Sequence, residues 1–299
     1  MSRDPWASYW SGGGDSGESA CLPGGGQGAG SVLDGLWREF ARLLPRRARV
    51  LDLATGSGIV LRKLLSARSD LKLTGVDTSP VLPPAPSGIR LLTATGMEKL
   101  PFPDRGIDAV TSQFGVEYGD TARIAAEVMR VVTPGASLRF VIHHDRSLIV
   151  FHNLARREAL AWAARESGLL DKARRLTEAR RRAAIPTPRS FHAAVEEGRR
   201  RYPGQTVAAE FATAVVRTLD AGFGRPSAEA IATLEALAAQ SDDEIGRIDA
   251  LRKAACGRGE IERIVSEFGG AGLSMMDPRP LAEQPADRPF AWLLDSVPK

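Results

Sequence analysis

Several things are scarce in this 299-residue chain, and each scarcity excludes something. It has only two cysteines, Cys21 and Cys256, at a spacing that fits no metal site. A disulfide scaffold and a zinc module are therefore excluded, and no metal is expected. The N-terminus lacks the apolar core of an export signal, so both thiols are expected to stay free in a reducing cytoplasm. No apolar run reaches the ~18 residues of a membrane span. Aromatic residues make up 6% of the chain and do not interleave with the basic ones, as stacking on single-stranded nucleic acid would require. The net charge of +4 is too small to argue for a polyanionic partner by itself. What remains is an ordinary globular composition, 25% charged and 43% hydrophobic, at a length suited to one large domain or a domain with an insert.

One stretch organises the rest: Val50-Leu51-Asp52-Leu53-Ala54-Thr55-Gly56-Ser57-Gly58. A β-branched and leucine-rich run enters a turn of small residues. A helical pattern follows, with apolar residues at 60, 61, 64 and 65. The glycines let the backbone approach a ligand, and the helix start offers unpaired N–H groups. The next strand, 71–77, ends on Asp77, about twenty residues past the glycines, where a carboxylate meets ribose hydroxyls in a doubly wound sheet. A dinucleotide and S-adenosylmethionine are both open at this point. Gly56 and Gly58 fit a dinucleotide fingerprint, but Leu61 stands where its third glycine belongs. Asp52, inside the first strand, suits a cationic amino group reached through water better than a pyrophosphate.

Residues 50–58 resemble motif I of the class I S-adenosylmethionine-dependent methyltransferases, and Gly75-Val76-Asp77-Thr78-Ser79 resembles motif II. Met97-Glu98-Lys99-Leu100-Pro101-Phe102 and the following Ile107-Asp108-Ala109-Val110 resemble the third segment of the subgroup related to ubiquinone and menaquinone methyltransferases. The resemblance covers about residues 45–145 and, weakly, the C-terminus. It implies a doubly wound, Rossmann-like α/β sheet, mostly parallel with an antiparallel C-terminal hairpin, and S-adenosylmethionine as cofactor. It implies that Asp77, with Thr78 beside it, meets the ribose, and that Asp52 and the backbone of Ala54, Gly56 and Gly58 hold the methionine portion. It places Met97 along the adenine and Gln113 toward the methionine end. Family members often carry an aspartate before the Ala-Glu pair, accepting from the adenine amino group. Gly96 stands there in this chain, and Glu98 is near enough in sequence to help.

In chain order, residues 1–30 are a Gly- and Ser-rich segment carrying Trp6, Tyr9 and Trp10, either a loose tail or a lid over the cofactor. Residues 31–44 form an amphipathic helix with Trp37 in its apolar stripe. Prolines 80, 83, 84 and 86 forbid a long helix after Asp77. Strands are predicted over 89–95, 107–113 and 136–143, the last after a Pro134-Gly135 turn, with a helix over 121–132. From 146 to 268 strand signals almost vanish, which predicts five or six helices inserted after the fifth strand as an acceptor cover. Strands resume near 272–281 and 289–296, completing the core sheet over 269–299. Between 156 and 201, thirteen basic residues face six acidic ones, giving either ion-paired helix faces or a patch for RNA or an anionic substrate.

The acceptor is expected to be a small or medium organic molecule with an oxygen or nitrogen nucleophile. The Asn/Asp-Pro-Pro-Tyr/Phe tetrapeptide of amino-methylating nucleic-acid enzymes is absent; Gln113-Phe114-Gly115-Val116 occupies its place. An RNA or protein methyltransferase and a non-catalytic cofactor binder stay open as alternatives. His143 and His144 end the fifth strand on opposite faces, and one of them is a candidate base. Oligomeric state is not legible.

Overall fold

A computed structural model describes Trp6, Tyr9 and Trp10 and residues 27–224, 227–284 and 288–297. Cys21 lies outside the described residues, as does most of the N-terminal segment. The chain divides into two compact units, residues 1–151 with 250–299, and residues 152–249.

The first unit is a seven-stranded sheet with helices on both faces. Its elements are α1 (Gln27–Leu43), β1 (Arg49–Leu53), α2 (Ile59–Ala67), β2 (Lys72–Val76), β3 (Ile89–Leu92), β4 (Ile107–Gln113), α3 (Thr121–Val131) and β5 (Val132–His143). After the helical unit come α9 (Arg258–Gly270), β6 (Arg279–Leu281) and β7 (Ala291–Asp295). The strand order is β3-β2-β1-β4-β5-β7-β6. Strands β1 to β5 are parallel, and β7 runs antiparallel to both β5 and β6. The order reverses between β1 and β4, so the crevice outside their carboxyl ends is where a ligand of such a sheet binds.

Side-chain alternation builds one core on each face. Leu51, Leu53, Val110, Phe140 and Ile142 pack with α3 and α9. Val50, Leu73, Ala109 and Val141 pack with α1 and α2, where Trp37 is fully buried. The segment between β2 and β3 has no helix, as its prolines require.

Several boundaries differ from the sequence reading: α1 starts at Gln27 rather than 31, β3 stops at Leu92 rather than 95, and β6 covers only Arg279–Leu281 of the expected 272–281. β5 begins at Val132 rather than after a Pro134-Gly135 turn. The ladder is irregular there, with a register shift between Ile107 and Ala109 and Gly135 at φ 82°, so a proline is tolerated inside the strand. Residues 250–268, expected in the insert, fall with the sheet instead, because Ile261, Ile264 and Phe268 of α9 complete its first core.

The second unit contains most of α4 (Leu148–Ala161), α5 (Leu169–Ala179), α6 (Arg189–Arg201), α7 (Val207–Ala221) and most of α8 (Ser227–Ala254). Its core joins Leu160, Leu170, Phe191, Phe211, Val215, Leu219 and Leu234. Seven of the thirteen basic residues of the 156–201 stretch are ion-paired within this unit. Arg156, Arg157, Arg165 and Arg174 pair with Glu244, Asp249, Asp242 and Glu235 of α8. Arg181, Arg199 and Arg200 pair with glutamates one turn earlier. Arg180 donates to the carbonyls of Ile185 and Leu219. No helix among the described residues is long and apolar enough to cross a membrane.

Candidate active site

The turn after β1 is built around Asp52. Its register partners are Gly75 on β2 and Thr111 on β4. Thr111 Oγ1 donates to Asp52 Oδ1 at 2.7 Å. Thr55 folds back from the turn, and its Oγ1 donates to Asp52 Oδ2 at 2.7 Å. Gly75 makes room for this, since a Cβ there would lie 2.4 Å from Thr55 Oγ1. Asp52 is 1% exposed, and burial, aided by the nearby Asp77 charge, pushes its carboxyl up to about 7 against the two hydroxyl bonds. Such a carboxylate is costly to keep ionised without a cation nearby.

Asp77 follows β2 and closes the other side of the turn. Gly56 N–H donates to its Oδ2, and Ser79 N–H to its Oδ1, both at 2.9 Å. Thr78 is exposed next to it. Ala54 lies at φ 49° and Phe114, just past β4, at φ 57°. Non-glycine residues in this region are strained, and here they stand at the ends of adjacent strands, as strained residues at functional sites do. Gly56 also lies in the left-handed region, and Trp10 is packed on it: a Cβ there would meet the indole at 2.5 Å.

The loop after β4 brings the remaining parts together. Trp37 Nε1–H donates to Gln113 Oε1 at 2.7 Å, which leaves the Gln113 amide group as a donor. Ser112 Oγ donates to Leu53 O and accepts from Val116 N, setting the single-turn helix Val116–Tyr118. That helix carries Glu117, whose side chain is fully buried beside the similarly enclosed His143. Glu117 Oε1 accepts from both the backbone N–H and the Nδ1–H of His143. Glu117 Oε2 is buried without a hydrogen-bond partner among the described residues. Phe114 stacks on the imidazole at 4.1 Å, and Tyr118 meets it edge-on at 6.0 Å. Tyr118 in turn meets Trp6, and Tyr9 touches both Trp6 and Trp10. Aromatic rings thus run without a break from Gly56 to His143.

His144 is placed differently. It stacks on Trp292 at 4.6 Å and bridges to Cys256 on the opposite face. Its Nδ1 accepts from the Arg146 N–H, and burial, the largest influence, lowers its basicity. Cys256 is a buried thiol pushed up to about 12, chiefly by burial, and is unreactive as a nucleophile. Met97 is a core side chain among Leu100, Val116 and Ile124 rather than an open surface along a ring. Gly96 lies in the same loop, with the Glu98 carboxylate beside it. Among the described residues no cluster of histidine, cysteine, aspartate or glutamate is arranged to hold a metal. Sequence reasoning missed Glu117, Thr111 and the aromatic walls Phe114 and Tyr118. Thr111 alone had a signal, its place beside Asp52 on a neighbouring strand.

A sheet of this order, with an acid-bearing first strand, a Gly turn closed by the second strand's aspartate and an antiparallel final strand, has the layout of a class I S-adenosylmethionine-dependent methyltransferase core. Residues 51–140 match a family described as a methyltransferase domain. The demethylmenaquinone methyltransferase of Corynebacterium kroppenstedtii is 37% identical over 112 residues, covering 36% of this chain and 48% of that protein. The ubiquinone/menaquinone biosynthesis C-methyltransferase of Geobacter is 30% identical over 136 residues, covering 41% and 58%. A solved S-adenosylmethionine-dependent methyltransferase from Aquifex aeolicus aligns at a TM-score of 0.33 with 21% identity, over 38% of this chain and 65% of that one. The chain spans about half the length of the curated relatives it matches. The methyltransferase match implies S-adenosylmethionine as the cofactor. The site fits it: a buried carboxylate suits a cation, and at Gly58 the nearest atom to a Cβ position is Leu91 at 3.7 Å, which leaves room for close approach.

Proposed function

We propose that the protein methylates a hydroxylated aromatic molecule of small or medium size, with His143 taking the acceptor's proton. The observation that carries this reading is the buried Glu117–His143 pair between Phe114 and Tyr118, at the carboxyl edge of the sheet. The relatives named demethylmenaquinone methyltransferases favour a quinone-type ring as acceptor.

Bound S-adenosylmethionine supplies a methyl carbon already activated for direct displacement, so the protein has to orient the acceptor and exclude water. Asp52 and the Gly56–Gly58 turn would hold the methionine portion, Asp77 the ribose, and the Gln113 amide group the methionine carboxylate. Phe114 and Tyr118 hold the imidazole between them. His143 Nε2 removes the hydroxyl proton, and Glu117 stabilises the imidazolium that results. The charge left on the acceptor is shared between its oxygen and the adjacent ring carbons, and one of these becomes the nucleophile. Trp6, Tyr9 and Trp10 serve as the cover that keeps water out. The helical unit, entered just after the histidine pair, is read as governing acceptor choice.

The reading is tested by offering labelled S-adenosylmethionine with a reduced naphthoquinone, simple phenols, primary amines and RNA. Label is expected on the hydroxylated rings. Transfer only to RNA or amines would refute it.

A further inference from the structure

If the site takes S-adenosylmethionine, as proposed above, the sheet order determines where its base lies. The methionine portion belongs at the crevice between β1 and β4, and the ribose at Asp77 on the end of β2. The next strand outward is β3. The loop after β3 is laced to Asp77: Asp77 N–H donates to Leu92 O at 3.1 Å, and Thr95 N–H to Asp77 O at 2.8 Å. The base therefore lies against residues 95–98. An adenine brings an exocyclic amino group there, a donor that needs an acceptor once it leaves water.

The loop offers few acceptors. Gly96 has no side chain, Met97 is buried in the core, and Thr95 Oγ1, which donates to Thr93 O, is a neutral acceptor where Glu98 is an anionic one. Glu98 remains. Its side chain folds back along the loop, so that Oε2 lies 3.2 Å from where a Cβ on Gly96 would stand. Glu98 Oε1 is anchored by the Asp120 N–H at 3.1 Å. Oε2 takes no hydrogen bond from any described residue. A side chain at position 96 would crowd this carboxylate, so Gly96 leaves it room.

We propose that Glu98 accepts from the adenine amino group and is the residue by which this chain distinguishes a 6-amino purine from a 6-oxo one. Glu98→Gln tests this because it preserves the anchor. The amide oxygen of that variant keeps the Asp120 N–H, and its amide nitrogen then falls where Oε2 was, turning an acceptor into a donor.

The experiment is calorimetric titration of the full chain with S-adenosylhomocysteine and with S-inosylhomocysteine, its 6-oxo counterpart. The wild type is expected to prefer the adenine compound by at least about tenfold, as one charge-assisted hydrogen bond implies. In Glu98→Gln that preference is expected to vanish or invert. Combining Gly96→Asp with Glu98→Gln in a double variant is expected to restore it, which also controls for a folding defect in the single variant. An unchanged preference in Glu98→Gln overturns the assignment to Glu98 while leaving the cofactor reading intact. A wild type that binds neither compound overturns both.

Discussion

One oxygen of Glu117, Oε1, accepts two hydrogen bonds from a single residue, the backbone N–H of His143 at 3.0 Å and its Nδ1–H at 2.8 Å. A carboxylate only accepts, so this bond calls for a proton on Nδ1, and in the neutral ring Nε2 then holds the lone pair. The backbone bond fixes the end of β5, and the ring bond fixes the imidazole relative to it. Glu117→Gln keeps an oxygen for both bonds and removes the charge that would stabilise an imidazolium. Turnover is expected to fall about 10²-fold, within the usual span of acid–base contributions, with little change in S-adenosylhomocysteine affinity. Equal loss of both would make the pair a structural clamp.

Asp52 links cofactor binding to pH and stability. Its carboxyl is raised from 3.8 to about 7, first by burial. An acid raised on folding binds more protons in the native state between those values. Its ionisation therefore costs stability progressively as pH rises from about 4 to 7, at about 1.4 kcal/mol per unit. Asp52→Asn removes that cost. The variant is expected to melt higher than wild type at pH 8 and to bind S-adenosylmethionine at least tenfold more weakly. In wild type, affinity is expected to fall below about pH 7, where the carboxylate is protonated. A variant that melts lower at pH 8 would contradict this account of the Asp52 cage.

Gly75 is silent in chemistry but tight in space. Thr55 fills the volume a side chain would need, with three of its atoms 2.4 to 2.6 Å from the Cβ position. Gly75→Ala is expected to cost about 1–3 kcal/mol, as overpacking does, and to displace the threonine that bonds Asp52. Chemical denaturation measures the first effect and titration with cofactor the second. A neutral substitution would mean that the Thr55 contact is not built as described.

Trp10 lies on Gly56, so ligand entry at the Gly turn should be visible in its fluorescence. Adding S-adenosylhomocysteine is expected to change tryptophan emission, and Trp10→Phe to remove most of the change. Trp10→Ala is expected to weaken binding several-fold. If Trp10→Phe retains the full signal and Trp10→Ala the full affinity, the aromatic cover plays no part in the site.

Local pattern carried much of the architecture. β4 is readable to both ends because Ile107–Gln113 is a β-branched run between turn residues. Alternation along β5 put His143 and His144 on opposite faces, and the two cores show them there. Contacts between distant residues were not legible. Nothing in the sequence ties Glu117 to His143, because a three-residue helix decides where the carboxylate points. Whether the arginines of 156–201 are ion-paired or form a patch was open in the sequence because the partners of Arg156, Arg157, Arg165 and Arg174 lie beyond residue 201, on α8. The apolar stripe of α9 announces a buried face but not which core receives it.

Deprotonation of the acceptor by His143 is the step on which the proposed chemistry turns. The most direct measurement is single-turnover methyl transfer to a series of phenols of graded acidity, in wild type and in His143→Ala. Wild type is expected to methylate weakly acidic phenols well. The variant should lose about 10²-fold on those and recover toward wild-type rates on phenols already ionised at the assay pH. A loss of equal size on every phenol, or no loss on any, would contradict the role given to His143.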